Sequence, residues 1–337
     1  MTAWYEPILD RGWVPDPLIR IAIRSLIRQR LREEAARHHN YPAFIEKLKS
    51  SPIAINTTDA NRQHYEVPPE FFQLALGPHC KYSCCYWPEG VTTLQQAEEQ
   101  MLRLSAERAQ IQDGQSILDL GCGWGSMSLY LAERFPNSRI TGVSNSRPQR
   151  EFIESQARAR GLANVRILTA DMNTFRTEDK FDRVISIEMF EHMRNYQLLL
   201  QHISTWLNPD GLLFVHIFSH TKFAYPFETN GPGDWMAEHF FTGGIMPSDD
   251  LLTHFQDHVK LIDRWRIDGT HYQKTAEAWL ANTDHNREKI LGLFRQTYGP
   301  ANAVRWLIRW RVFFMSVAGL WATHGGQQWI VSHYLFR

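Results

Sequence analysis

The chain has 337 residues with 36 basic and 36 acidic side chains, so it has zero formal net charge and no global electrostatic footprint for nucleic acid. Its 43% hydrophobic and 21% charged content is that of a folded globular protein, not a disordered one. Cys80, Cys84, Cys85 and Cys122 are too few and too clustered for a disulfide framework, which points to a reducing, cytoplasmic setting; with His79 they lack the second half of a zinc site, so no metal is expected.

The N-terminus has no basic start followed by an apolar core, and no run approaches the ~20 apolar residues of a membrane span. Residues 18–33, "LIRIAIRSLIRQRLRE", set Leu18, Ile21, Ile23, Leu26, Ile27 and Leu31 against five arginines, the pattern of an amphipathic helix. Such a helix can lie on an anionic membrane surface, but packing on its own protein is the commoner use and the one expected here. Residues 1–60 read as a helical extension interrupted by Pro15, Pro17, Pro42 and Pro52, which either covers the site or mediates a homodimer. A lead-in follows over 61–110, ending in a threonine-capped helix in "TTLQQAEEQMLRLSAERAQI".

From Gln115 short apolar runs alternate with helical segments: "SILDLG", "RITGVSN", "VRILTAD", "FDRVISI" and "GLLFVHIF" read as strands, with helices between most of them. That alternation argues an α/β fold with a doubly wound parallel sheet. Residues 219–280 form an aromatic, glycine-rich insertion placed to cover a substrate, with "TGGIMPS" as a lid. The C-terminal part returns to helix and ends in a strand.

"ILDLGCGWGSM" puts Asp119 and then Gly121, Gly123 and Gly125 at a strand-to-helix turn, where glycines let backbone approach a ligand and the helix start offers free N–H groups. A dinucleotide turn is spaced G-x-G-x-x-G; this one reads D-x-G-x-G-x-G and resembles motif I of class I methyltransferases, which bind S-adenosyl-L-methionine. After the second strand, "TGVSNSRPQ" has no acid, leaving Ser144, Asn145 and Gln149 for ribose hydroxyls. After the third, Asp171 is placed to accept from an adenine amino group with Met172 against the ring, although capping a turn is an alternative use of Asp171.

Behind "FDRVIS" comes "IEMFEHMRNY", which brings Glu188, Glu191 and His192 to a strand end. If a helix begins there, the three fall at i, i+3 and i+4 on one face. An ammonium substrate is attracted by carboxylates and must lose a proton before its nitrogen can attack, which a histidine can accept.

Together with "KYSCCYW", "ERAQIQDGQSILDLGCGWG" and "FTGGIMPS", these motifs resemble the cyclopropane fatty acid synthase superfamily over roughly residues 61–337, and within it the coclaurine N-methyltransferase group. The resemblance implies a class I methyltransferase (Rossmann-like) fold in which Tyr82, Ser83, Gly121, Gly123, Asn145, Gln149 and Ile187 hold the cofactor. Cyclopropane synthases alkylate an alkene with bicarbonate as base, and the bicarbonate ligands fall here on Cys84, Glu191, His216 and Tyr272, with Phe218 at a fifth position where that branch has isoleucine. Glu188 stands where synthases carry a small residue, which favours the amine branch: Glu188 anchors the cation, and Glu191 with His192 is the base or orienting pair. Tyr225, Trp235 and Phe241 are expected in the substrate wall, since ring faces attract cations. The expected function is methyl transfer to the nitrogen of a small aromatic or alkaloid-like amine. A lipid-modifying synthase is the alternative.

Overall fold

The structure is a computed structural model that describes residues 5–55, 67–228 and 235–337; the domain boundary expected near residue 60 and the "TNGPGD" stretch of the insertion lie outside the described residues. Before the sheet come α1 (Glu6–Leu9), α2 (Asp16–Arg37), α3 (Tyr41–Lys49), α4 (Pro69–Ala75) and α5 (Leu94–Arg108). Thr93 and Gln96 close the start of α5 reciprocally, each side chain accepting from the other's backbone N–H, so this helix begins where its capping residue predicts.

The apolar runs then become strands β1 (Ser116–Leu120), β2 (Arg139–Ser144), β3 (Val165–Thr169), β4 (Phe181–Ile187) and β5 (Leu207–His220), joined by α6 (Ser126–Arg134), α7 (Arg147–Ala159) and α8 (Tyr196–Trp206). After β5 a two-stranded ribbon of β6 (Tyr225–Pro226) and β7 (Ile245–Met246) brackets α9 (Trp235–His239). The chain returns through β8 (Leu261–Ile267), α10 (Gly269–His285), α11 (Arg287–Tyr298), α12 (Pro300–Trp321) and β9 (Trp329–Phe336).

The seven-stranded sheet runs β3-β2-β1-β4-β5-β9-β8, parallel from β3 to β5 and antiparallel where β9 inserts between β5 and β8. The order reverses between β1 and β4, and a crevice at such a reversal, beyond the carboxyl ends of the strands, is where open α/β sheets bind ligands. The central strands are covered on both faces, which is why β5 and β9 read as near-continuous apolar runs and every residue of β9 is buried. Residues 261–267 lie inside the span expected as an insertion but form β8 of the main sheet, paired with β9.

Helix α2 packs on α12 through Ile19, Ile23 and Ile27, with Gly319 close enough that a Cβ there would lie 3.0 Å from Ile23 Cγ2. Arg20 pairs with Glu277 at 2.6 Å and Asp16 with Arg311 at 2.7 Å, so the basic helix is held on its own protein, while Leu18, Ile21 and Leu26 are left exposed. No helix among the described residues is long and apolar enough to cross a membrane.

Candidate active site

At the end of β1 the chain turns through Gly121, Gly123 and Gly125, with φ of +85°, +52° and +81°. A Cβ on Gly121 would meet Met189 Cγ at 2.5 Å, whereas one on Gly123 would meet nothing within 4 Å. Gly121 thus lets two segments touch, and Gly123 leaves its turn open to a ligand. Asp119 is buried behind the turn and accepts from Ser128 Oγ at 2.6 Å; burial lifts its carboxyl to about 6.

On the far side of the turn Ser144 Oγ donates to Gln149 Oε1 at 2.6 Å and accepts from the Ser146 N–H at 3.0 Å. Gln149 is buried, and its Nε2 has no partner among the described residues. An orphaned donor beside an open glycine turn fits a cofactor rich in acceptor oxygens. Asn145, Gln149 and Met172 line one cavity of about 80 Å³ with Gly121 and Gly123. Asp171 does not line it; its carboxylate accepts from the Asn173 N–H at 2.8 Å and holds the turn after β3.

The acidic stretch is built differently from the helical face expected of it. β4 ends at Ile187, Glu188 takes a left-handed φ of +46°, and Phe190–His192 make a single 3₁₀ turn before α8 begins at Tyr196. A left-handed non-glycine residue costs about 1 kcal/mol, and such strain gathers at functional positions. Here it accompanies a Glu188 carboxylate that is held on both oxygens. Its Oε1 accepts from the Cys84 N–H at 3.0 Å and meets His216 Nε2 at 3.2 Å, and its Oε2 accepts from Tyr272 Oη at 2.6 Å.

Cys84, His216 and Tyr272 are three of the four residues on which the resemblance laid bicarbonate. In this chain their donors converge on a carboxylate of the protein itself. Glu98 places the Cys84 backbone by accepting from the His79 and Lys81 N–H groups at 3.0 and 3.1 Å. Lys81 is buried beside Glu188 with its ammonium bonded to Ser83 Oγ. Burial raises the Glu188 carboxyl above its usual range, opposed by the Lys81 charge and then by the Cys84 and Tyr272 hydrogen bonds.

Glu191 is also buried, but its Oε2 has no partner among the described residues. Burial, and after it the neighbouring Glu188 charge, push its carboxyl well above the usual value. Of two such neighbours, Glu188, which accepts from Cys84 and Tyr272 beside the Lys81 charge, keeps the negative charge, and Glu191, whose carboxyl meets only a backbone N–H, takes the proton. Burial likewise keeps the Cys84 thiol and the Tyr272 phenol protonated.

Both acids line a second cavity of about 150 Å³ with His192, Tyr82, Ser83, Asp119, Ile187, Phe218, Phe241 and Tyr272. The two cavities share Gly121, Gly123, Gln149, Glu188 and His192, so His192 stands at their junction, its ring 4.7 Å from that of Phe241. Tyr225 and Trp235, expected in the same wall, line an adjoining groove beneath α2 that shares Phe227 and Met236 with this cavity; Tyr225 Oη accepts from Trp329 Nε1 there. The aromatic wall joins Phe241 to Trp279 on α10 and to Phe313 and Trp321 on α12, the last three carrying no sequence motif. "TGGIMPS" is packed down rather than free: Ile245 and Met246 are buried, and Arg194 donates to the Gly243 carbonyl at 2.9 Å.

Comparison with known proteins gives one family model match, mycolic acid cyclopropane synthetase, over residues 54–300. A curated (S)-coclaurine N-methyltransferase from Thalictrum flavum subsp. glaucum is 40% identical, the alignment covering 98% of this chain and 94% of the relative. Cyclopropane-fatty-acyl-phospholipid synthase of Escherichia coli (strain K12) is 30% identical over 65% of this chain and 54% of its own length. The crystal structure of coclaurine N-methyltransferase bound to N-methylheliamine and SAH superimposes with a TM-score of 0.94 at 39% identity, covering 98% of both chains. The chain belongs to the cyclopropane synthetase family of methyltransferases, and S-adenosyl-L-methionine is its cofactor.

Proposed function

We propose that the chain transfers a methyl group from S-adenosyl-L-methionine to the nitrogen of a small aromatic, alkaloid-like amine. The observation that carries this reading is the convergence of Cys84, His216 and Tyr272 on the Glu188 carboxylate, with the orphaned Oε2 of Glu191 beside it in an aromatic cavity. The buried Glu188 charge attracts an ammonium, the unpartnered Oε2 of Glu191 beside it can meet the substrate N–H, and Phe241, Trp279 and Trp321 add ring faces that attract cations. The relatives act on amines by name, which supports the same class here.

Glu188 is tied down on both oxygens, so it supplies charge from behind, and Glu191 is the acid that can meet the substrate N–H. His192, at the junction of the two cavities, is placed to take the proton. The sulfonium of the cofactor supplies an activated methyl group. The amine nitrogen forms the new N–C bond as the S–CH₃ bond breaks, and the N–H proton passes to His192. Alignment carries most of the rate, because the leaving group is already good. The glycine turn and the cavity walls provide it by fixing the two partners end to end.

The synthase alternative needs bicarbonate, and the donors it would use are spent on Glu188. All four cysteines are buried and unpaired, which supports a reducing, cytoplasmic setting. Methyl-labelled cofactor offered with a panel of aromatic secondary amines, and separately with unsaturated phospholipid vesicles, tests the assignment. Label is expected in the amine fraction; label confined to lipid would overturn it.

A further inference from the structure

Behind Glu188 the hydrogen bonding continues away from the cavity. His216 on β5 and His333 on β9 are directly opposed across the antiparallel pair, and His333 Nε2 lies 2.9 Å from His216 Nδ1. His333 Nδ1 is in turn 2.8 Å from Nη1 of Arg108, in the last turn of α5. Trp265 on β8 is the other cross-strand neighbour of His333, and the Arg108 guanidinium sits over its ring, with Cζ 5.0 Å from the centroid. Both histidines are fully buried, and burial holds each well below the usual imidazole value, so both rings are neutral.

A guanidinium can only donate, and a neutral imidazole has one N–H and one bare nitrogen. His333 Nδ1 must accept from Arg108, which puts the His333 proton on Nε2. His216 Nδ1 must accept that proton's hydrogen bond, which puts the His216 proton on Nε2, facing Glu188 Oε1. We propose that Arg108 and His333 are positioning residues that lock the tautomer of His216, so that it donates to Glu188 and keeps that carboxylate ionised for the amine. The reversed tautomer would turn a bare ring nitrogen toward Oε1, and Glu188 would have to take a proton to satisfy it.

The groups that face Glu188 from the elements packed against it are Lys81 and Cys84 of the lead-in loop, Glu191 of the following turn, His216 of β5 and Tyr272 of α10. Among the described residues, the His216 contact takes its direction from Arg108 and His333, which lie outside the site. The kinetic part of the inference rests on the amine reading; the tautomer part does not.

The test uses full-length protein and two readouts. Histidine-selective ¹⁵N NMR of the wild type, with no amine present, is expected to show Nε2–H and bare Nδ1 for both buried rings; an Nδ1–H tautomer of either would overturn the lock whatever the true acceptor is. Arg108→Met, which keeps an apolar cover on Trp265, is expected to mix the His216 tautomers and raise the amine KM about tenfold while kcat stays within about threefold. Arg108→Lys, which retains a donor, is expected to recover most of the KM. An Arg108→Met enzyme with wild-type tautomers and KM would refute the proposal, as would a parallel fall in cofactor affinity, kcat and melting temperature that Arg108→Lys does not rescue.

Discussion

The glycine-turn side, proposed to hold the cofactor, and the Glu188 side, proposed to hold the acceptor, are built by opposite means. The cofactor side is local: β1, its glycine turn and the β2 end supply Asp119, Gly121, Gly123, Ser144 and Gln149 within some thirty residues, and most polar atoms there bond to near neighbours. The acceptor side is assembled from a loop at Cys84, the strained residue after β4, mid-β5, α10 and, behind them, β9 and α5. Backbone conformation makes the first side, and side-chain convergence on one buried carboxylate makes the second. The two should therefore fail in different ways when altered.

The largest effect is expected at Glu188→Ala. It leaves the Cys84 N–H, the Tyr272 hydroxyl and the Lys81 ammonium without their acceptor or counter-charge, and should cost about 3–5 kcal/mol of stability along with amine binding. Thermal melting and amine KM would check it; a variant as stable as wild type would mean that the convergence does not organise the acceptor side. His192→Ala comes next, with kcat expected to fall about 100-fold and amine KM within threefold. Steady-state kinetics giving the opposite split would move the proton acceptor elsewhere.

Gly121→Ala probes the other side. Its Cβ would collide with Met189 at a left-handed φ, and calorimetry should show cofactor affinity falling about tenfold while the Glu188 convergence survives. The smallest effect is a pH effect at Glu191. Unfolded, this carboxyl ionises in the ordinary range; folded, it keeps its proton to much higher pH, so the unfolded state binds fewer protons in between and stability falls as pH rises through that window. Glu191→Gln removes the dependence and should be more stable than wild type by about 1–2 kcal/mol at pH 8, with the gap closing toward pH 4.5. Denaturant titrations at the two pH values would show it.

The same contrast explains what could be read from the sequence. The strand–helix alternation and the D-x-G-x-G-x-G turn are periodic or contiguous, so β1–β5 stand where they are expected and Gly121, Gly123, Ser144, Asn145, Gln149 and Met172 line one cavity. Glu188, Glu191 and His192 do share a cavity, but through a left-handed residue and a 3₁₀ turn, because i, i+3, i+4 spacing is equally available to irregular backbone. Tyr225 and Trp235 go to the groove under α2, since an aromatic-rich segment carries no signal for which of two cavities it will line. Lys81 lies inside a quoted motif without any mark of its burial, and His333 meets Arg108 across 225 residues of chain. Contacts of that separation are properties of the sheet order.

The most direct test of a built-in carboxylate in place of a bound anion is bicarbonate dependence. Methyl transfer to an aromatic amine should run at the same rate in carbonate-depleted buffer as with added bicarbonate. A rate that collapses on depletion and returns with bicarbonate would contradict the account, because it would place the working anion outside the chain.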